Sequence, residues 1–466
     1  MTEPRDEVDA WLDAPIEPMP PPAGRYERIR RSARRRKRSQ VIAAAATAAA
    51  VVAGLVAVPR LITIFPGGTG ASSGNAITTQ PALSGAPNSF RSNRLSAGAA
   101  AMGTGHPIPN GFAATSATFV GLWTGWALGT TPGHCGTGGC LALARTDNAG
   151  LNWYSVPAPG TVIAANGTGV SQVRFLNRDD GWVFGPELWW TRDGGQRWQQ
   201  VNTGGEQVIS LETVGTRAFA VFASCTPPAT ATPAGGSGGC YEYQLYSAAA
   251  GTSSWRPVPG ATSGTGGTAA VVLARDTGYL LASSADTERL ARGPISATGA
   301  WSTVSAPCPA RAAAPNSTAT PYQGMLLATA SPDQLFAVCN TSALGSTGST
   351  GTEQAAQAKE IVASADGGRT WHRRAVAQIP GTAWSAAATP DGASLFIATS
   401  TGLYGSADGG ASWRLIMTGP PGGLGYVGMT DNLQGFAIPA IRGHYGILFT
   451  TDGGQSWQRS MVSGST

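Results

Sequence analysis

Nineteen Asp and Glu residues follow residue 60, and their placement decides what chemistry the chain can carry. Hydrolysis of a glycosidic bond takes two carboxyl groups flanking the bond, or a Tyr and Glu pair with arginines on a sugar carboxylate. Eleven of the nineteen fall in turn-like segments: Asp147, Asp193, Asp366, Asp408 and Asp452 beside Gly-containing turns, and Asp179, Asp180, Asp276, Asp333, Asp391 and Asp431 between short apolar runs. The other eight, Glu187, Glu206, Glu212, Glu242, Asp286, Glu288, Glu353 and Glu360, are scattered and permit a catalytic pair without indicating one. No strand-to-helix nucleophile elbow, phosphate loop or paired-His motif is recognised, so no catalytic residue is assigned. "HCGTGGC" offers His134, Cys135 and Cys140, only three local ligands with no second cluster, and neither a metal nor a cofactor is expected.

The turns that hold most of these carboxylates recur. "TRDGGQRW" (191–198), "SADGGRTW" (364–371), "SADGGASW" (406–413) and "TTDGGQSW" (450–457) share one pattern, and "RTDNAGLNW" (145–153) keeps its Asp and Gly with one residue inserted. "YSAAAGTSSW" and "ISATGAW" keep only a small turn before Trp. Asp-Gly between strand-like runs is a hairpin signal, because Gly supplies the positive φ that the turn needs. The Trp is the large apolar piece that such a hairpin buries. Trp153, Trp198, Trp255, Trp301, Trp371, Trp413 and Trp457 mark seven units, and their shortest spacings, 42 to 46 residues, match a propeller blade. A second landmark, an aromatic opening a strand after a turn, also counts seven: Trp126, Trp182, Phe219, Tyr279, Phe336, Phe396 and Phe436. Two apolar strands, a loop, a further strand, a turn and the Trp strand make a four-stranded antiparallel blade. The fold class is therefore all-β: a seven-bladed β-propeller of four-stranded antiparallel blades, with one transmembrane helix ahead of it.

The Ser/Thr-x-Asp-Gly-Gly-x-x-Trp copies resemble the Asp-box, or bacterial neuraminidase repeat, of sialidases, sortilin-type receptors and some glycanases. Joined to the upstream Asp-x-x-Gly-aromatic strand, they most resemble the photosystem II assembly and stability factor family of seven-bladed propellers, over roughly residues 115–462. The resemblance implies a fold and says little of activity, since many functions share it. Two features depart from these families. The Phe-Arg-Ile-Pro signature of sialidases is missing, its nearest match being "FRSN" at 90–93, and no local motif matches the arginine patch of the photosystem family.

Ahead of the propeller the chemistry changes. Residues 1–40 form an acidic, Pro-rich and then basic tail; the first 24 carry six acids, and "RYERIRRSARRRKRS" carries nine Arg or Lys. Such a tail buries no core and is expected to be disordered. Residues 41–65 open with eighteen uncharged residues, "VIAAAATAAAVVAGLVAV", and are expected to form a transmembrane signal anchor. The basic flank keeps the N-terminus in the cytoplasm and sends the propeller outside. The first 60 residues hold 11 Lys or Arg against 7 acids, and the rest 20 against 19, so the excess charge belongs to the juxtamembrane cluster. Its place beside an apolar span points to membrane orientation and anionic lipid, not nucleic acid. Residues 66–112 read as a flexible Gly/Ser/Ala/Pro linker with a reach of roughly 35 to 40 Å, and residues 113–466 as the propeller.

All six Cys lie beyond the span, as suits an oxidising compartment. Proximity suggests Cys135 with Cys140, Cys225 with Cys240 and Cys308 with Cys339. In such a blade the first-to-second and third-to-fourth turns share one face, and the remaining connections share the other. The Cys pairs and the long insertions fall on that second face, where variable loops on a rigid scaffold usually bind. The candidate ligand-binding residues there are Glu187, Trp189, Tyr241, Tyr243, Glu288, Arg289, Arg442, His444 and Tyr445. The expected function is a membrane-anchored extracytoplasmic scaffold that binds a protein or envelope glycan without catalysis. The alternatives are a sialidase-like or glycanase-like hydrolase, and a transmembrane sensor with a cytoplasmic regulatory tail.

Overall fold

The computed structural model describes residues 106–462 except 134, 136–138, 165–166, 226–239, 262–263, 266–267, 284–287, 297–299, 309–324, 341–357 and 441–445, with backbone alone at Tyr241, Thr265, Ser283 and Asn340. The expected tail and anchor, and the linker up to residue 105, lie outside these residues. Among the described residues no helix is long and apolar enough to cross a membrane.

Seven antiparallel sheets each take four consecutive strands in sequence order, and blade 3 adds a short fifth. Blade 1 holds Ala113–Val120, Thr124–Thr131, Cys140–Thr146 and Tyr154–Val156; blade 2 holds Gln172–Phe175, Gly181–Phe184, Leu188–Thr191 and Gln199–Gln200. Blade 3 holds Gln207–Val214, Arg217–Cys225, Cys240–Ala249 and Arg256–Pro257, with Gly264–Thr265 paired to its third strand. Blade 4 holds Thr268–Ala274, Thr277–Ser283, Glu288–Pro294 and Ser302–Val304; blade 5 holds Leu326–Thr329, Leu335–Asn340, Ala358–Ser364 and His372–Gln378. Blade 6 holds Ala383–Ala388, Leu395–Thr399, Gly402–Ser406 and Arg414–Thr418; blade 7 holds Leu424–Met429, Gly435–Pro439, Ile447–Thr450 and Gln458–Ser460.

Second strands are sandwiched between neighbouring blades, which is why they read as unbroken apolar runs. Their seven landmark aromatics are all buried, from Trp126 and Trp182 at 0 % exposure to Phe436 at 6 %. Trp126 lies flat on Phe175 of the next blade, with ring centroids 3.6 Å apart. Where the blades converge, Ser and Thr on the first strands bond the neighbouring backbone. Ser116 accepts from Val173 N–H, Ser210 accepts from Val271 N–H, Thr329 donates to Leu273 O, and Ser385 donates to Val427 O. These inner positions account for part of a composition with only 12 % charged residues.

The ring closes without strand exchange. Phe119 of blade 1 packs on Phe436 and Phe449 of blade 7, and Gln434 Nε2 donates to Leu122 O at 2.9 Å. Ser460 of the last strand donates to Gly150 O. The packed region starts before the expected boundary at 113. His106 bridges to Ser155 on the outer strand of blade 1, and Ile108 and Phe112 are buried in the seam between blades 7 and 1. The end of the expected linker is thus part of the core.

Candidate functional site

One hydrogen bond, repeated in all seven blades, defines the two faces. A backbone N–H in the third-to-fourth turn donates to a carbonyl in or beside the first turn of the same blade: Ala149 to Trp123, Gly194 to Asp179, Ala250 to Thr216, Ile295 to Asp276, Gly367 to Asp333, Gly409 to Ala393 and Gly453 to Leu433, at 2.8 to 3.1 Å. Both turns of every blade therefore share a tight face. The second-to-third loops occupy the opposite face, and the three expected disulfides are formed there. Cys135–Cys140 and Cys225–Cys240 each close a second-to-third loop, and Cys308–Cys339 ties the entry of blade 5 to its second strand. The Cys135–Cys140 bond also removes both thiolates that "HCGTGGC" offered to a metal.

The tight face is built by side chains acting on their own backbone. In the four full copies the Ser or Thr hydroxyl (Thr191, Ser364, Ser406, Thr450) donates to the Asp carboxylate and accepts the second Gly N–H at 2.8 to 3.0 Å. The carboxylate in turn accepts N–H groups three or four residues on, such as Ala411 and Ser412 onto Asp408 and Ser456 onto Asp452. Bonds from Thr370 and Ser364 hold Asp366 well below the usual carboxylate range. Both glycines sit at positive φ, and a Cβ on Gly454 would stand 2.1 Å from the Phe396 ring of blade 6.

Blade 1 corrects the sequence alignment. Nothing is inserted there: Asn148 takes the Asp position, Thr146 bonds to Asn148 and Gly150, and Ala149 replaces the first Gly at φ +60°. Asp147 lies one residue earlier and binds Arg145 and the Tyr154 hydroxyl instead. Asn replaces Asp readily because the turn needs only an acceptor oxygen in that place.

The Trp side chains divide into two groups. Trp153, Trp301 and Trp457 are at most 5 % exposed, whereas Trp198, Trp255, Trp371 and Trp413 are half-buried. Trp198 and Trp371 donate to Pro157 O and Ser305 O beyond the outer strand of the preceding blade, while Trp413 donates to Gly410 O of its own turn.

Of the candidate residues on the long-loop face, the structure describes the side chains of Glu187, Trp189, Tyr243, Glu288 and Arg289. Glu187 is held inside its blade: its carboxylate accepts Trp189 Nε1, Thr161 Oγ1 and Gly169 N–H at 2.8 to 2.9 Å, pinning the connection from blade 1 to the blade 2 loop. Burial raises its pKa, but these three bonds outweigh burial and leave it lowered. Tyr243 is buried under the strand Gly264–Thr265, and Arg289 of blade 4 lies near enough to act on its hydroxyl. Glu288 points to the other side of the same strand, toward blade 5, as strand alternation requires. Both of its carboxylate oxygens are buried without a hydrogen-bond partner among the described residues, and burial pushes its pKa up to about 7. Arg442, His444 and Tyr445 lie outside the described residues, as does the side chain of Tyr241.

Three groups here were not singled out as binding candidates. Glu206 is raised first by burial and then by repulsion from Glu242, so these two carboxylates are neighbours at the junction of blades 2 and 3. Lys359 is fully buried, with Nζ donating to Gly381 O at 3.0 Å, and burial lowers it to about 8. Arg174 pairs with Glu212 at 3.0 Å and lies over the Tyr426 ring, joining the inner strands of blades 2, 3 and 7. The isolated Lys and Arg gave no sequence signal, because their partners lie far away in the chain.

No protein-family model and no curated protein matches the chain. Among solved structures, YCF48 bound to a D1 peptide is 17 % identical, with a TM-score of 0.46 over 74 % of this chain and 95 % of that one. YCF48 from Cyanidioschyzon merolae is 15 % identical, with a TM-score of 0.45 over 74 % and 97 %. A GH74 enzyme from Niastella koreensis is 14 % identical, with a TM-score of 0.35 over 75 % and 66 %. The chain thus has both an assembly-factor propeller and a glycoside hydrolase among its structural neighbours, and the seven-bladed architecture itself rests on its own strand pairing.

Proposed function

We propose that this protein is a membrane-anchored, extracytoplasmic Asp-box propeller that binds a protein or an envelope glycan, without catalysis, on its long-loop face. The observation that carries the reading is the contrast between faces: seven tied turns on one, disulfide-closed loops on the other. A rigid scaffold with covalently held loops lowers the ordering cost of binding. Three of the carboxylates outside the turns are engaged internally, Glu187 by three hydrogen bonds, Glu212 by Arg174 at 3.0 Å and Glu360 by Arg373 at 2.6 Å. Photo-crosslinking residues placed at Arg289 and at Ala411 of the full-length protein test the face. Adducts are expected from position 289 and not from 411, and the reverse pattern overturns the assignment.

A glycoside hydrolase is the second reading, favoured by one observation. Glu206, raised by burial and by the neighbouring Glu242 carboxyl, has the character of a general acid. Turnover of sialosides or β-glucans that is abolished by Glu206→Gln and by Glu242→Gln would establish it. Absence of turnover in the parent protein removes it.

A further inference from the structure

At the tight face, three seams between adjacent blades place an arginine against the turn of the following blade. In the seam between blades 1 and 2, Arg145 lies over Trp126 and pairs with Asp147, and the first turn glycine of blade 2, Gly194, closes against its guanidinium. Between blades 4 and 5, Arg292 pairs with Asp333 and Gly367 closes over it in the same manner. Between blades 5 and 6, Arg374 donates to Gly409 O of the following turn.

Strand register identifies the matching position in blade 3. Trp126 pairs with Arg145, Tyr279 with Arg292, and Phe219 with Ser247. The guanidinium comes instead from Arg217 on the neighbouring strand, which donates through Nη2 to Ser247 Oγ at 3.0 Å. Blade 4 carries no Asp-Gly-Gly after its third strand, and Ser296 stands at the edge of this seam. A cleft of about 500 Å³ remains, with Arg217 and Arg256 in its wall and no carboxylate among its lining residues. Arg217 Nε has no hydrogen-bond partner, and among the described residues neither arginine is in an ion pair.

We infer that this open seam between blades 3 and 4 is a binding site for a carboxylated sugar. Two guanidiniums without a protein carboxylate call for an anion, and a planar carboxylate fits the guanidinium fork. The hydroxyls of Ser247, Thr252 and Ser254 match sugar hydroxyls, and the Phe219 and Val258 side of the cleft suits the apolar face of a sugar ring. The volume lies within the range of small-ligand clefts, roughly 300 to 1,000 Å³. A peptide added as a strand is disfavoured at this edge, because Pro257 and Pro259 offer no backbone N–H. The site lies on the tight face and does not depend on the long-loop reading.

Calorimetric titration of the detergent-purified full-length protein with a glucuronate-containing disaccharide tests the site, beside its neutral glucose counterpart, inorganic phosphate and an acidic tetrapeptide. The acidic disaccharide is expected to bind at least tenfold more tightly than each of the other three. Arg256→Ala, at an exposed position, should weaken it at least tenfold with no change in thermal midpoint, and Arg217→Lys should weaken it less than Arg217→Ala does. Equal binding of the neutral sugar, the phosphate or the peptide overturns the assignment. So does undetectable binding of the disaccharide, or affinity unchanged in a folded Arg217→Ala/Arg256→Ala protein.

Discussion

Glu288 is a carboxyl group buried with no hydrogen-bond partner among the described residues, and its pKa of about 7 is a statement about stability. Between the ordinary Glu range and pH 7 the folded state holds a proton that the unfolded state has released. Stability therefore falls as pH rises through this window and levels off above it. Glu288→Gln should stabilise the protein at pH 8, by about 1 kcal/mol after allowance for solvent screening, and leave it unchanged at pH 4. Thermal unfolding at the two pH values checks this, and an equal effect at both would show that the carboxyl does not titrate as described. Asp408 has the opposite sign: burial raises it, but the Ser412 and Ser406 hydroxyls and nearby N–H groups leave it lowered overall. Its contribution is complete above the ordinary Asp range and is lost as pH falls toward the folded value. Asp408→Asn should accordingly flatten the acid side of the stability curve.

At the scale of the element, the repeated turn and its Trp are separable. Trp457 is 2 % exposed and stands edge-on to Phe396 of the preceding blade, so Trp457→Ala should cost about 3 to 5 kcal/mol. Trp413 is half-buried, and Trp413→Ala should cost clearly less, about 2 kcal/mol. Urea midpoints rank the two, and an inverted order would mean that exposure does not decide how each Trp packs. The blade 1 turn offers a gain instead. Ala149 sits at φ +60°, a strained backbone for a residue with a Cβ, and every full copy has Gly there. Ala149→Gly should stabilise by about 0.5 to 1 kcal/mol, the relief of strain exceeding the added freedom of the unfolded chain. A lowered urea midpoint would contradict this.

At the scale of the whole molecule, seven complete sheets close by side-chain packing alone, with blade 1 against blade 7 through Phe119, Phe436 and Phe449. His106, Ile108 and Phe112 already pack on the ring, so the end of the expected linker belongs to it. Protease added to spheroplasts should cut between residues 66 and 105, release the ring and leave the N-terminal tail protected. Digestion of the tail with the ring retained inside would reverse the proposed orientation.

The sequence by itself determined what depends on local backbone chemistry. Asp-Gly-Gly before Trp names a turn, its positive φ and its period, because the hydroxyl, carboxylate and N–H groups that lock it lie within a stretch of seven residues. Seven turn-plus-Trp units, four of them full copies, and seven second-strand aromatics were enough for blade number, strand order and faces, while proximity in the chain suggested the three disulfide pairs. The degenerate blade 1 copy misled because Asp147 looks like the turn residue, and only the hydrogen bonds assign that place to Asn148. What each candidate side chain does was a tertiary decision. Glu187 bonds Thr161 and Gly169 across a loop, Glu288 is left alone by the packing of blade 5, and Arg174 meets Tyr426 across the chain. The charged and hydrogen-bonding partners of these groups are set by how blades abut, and no local spacing encodes that.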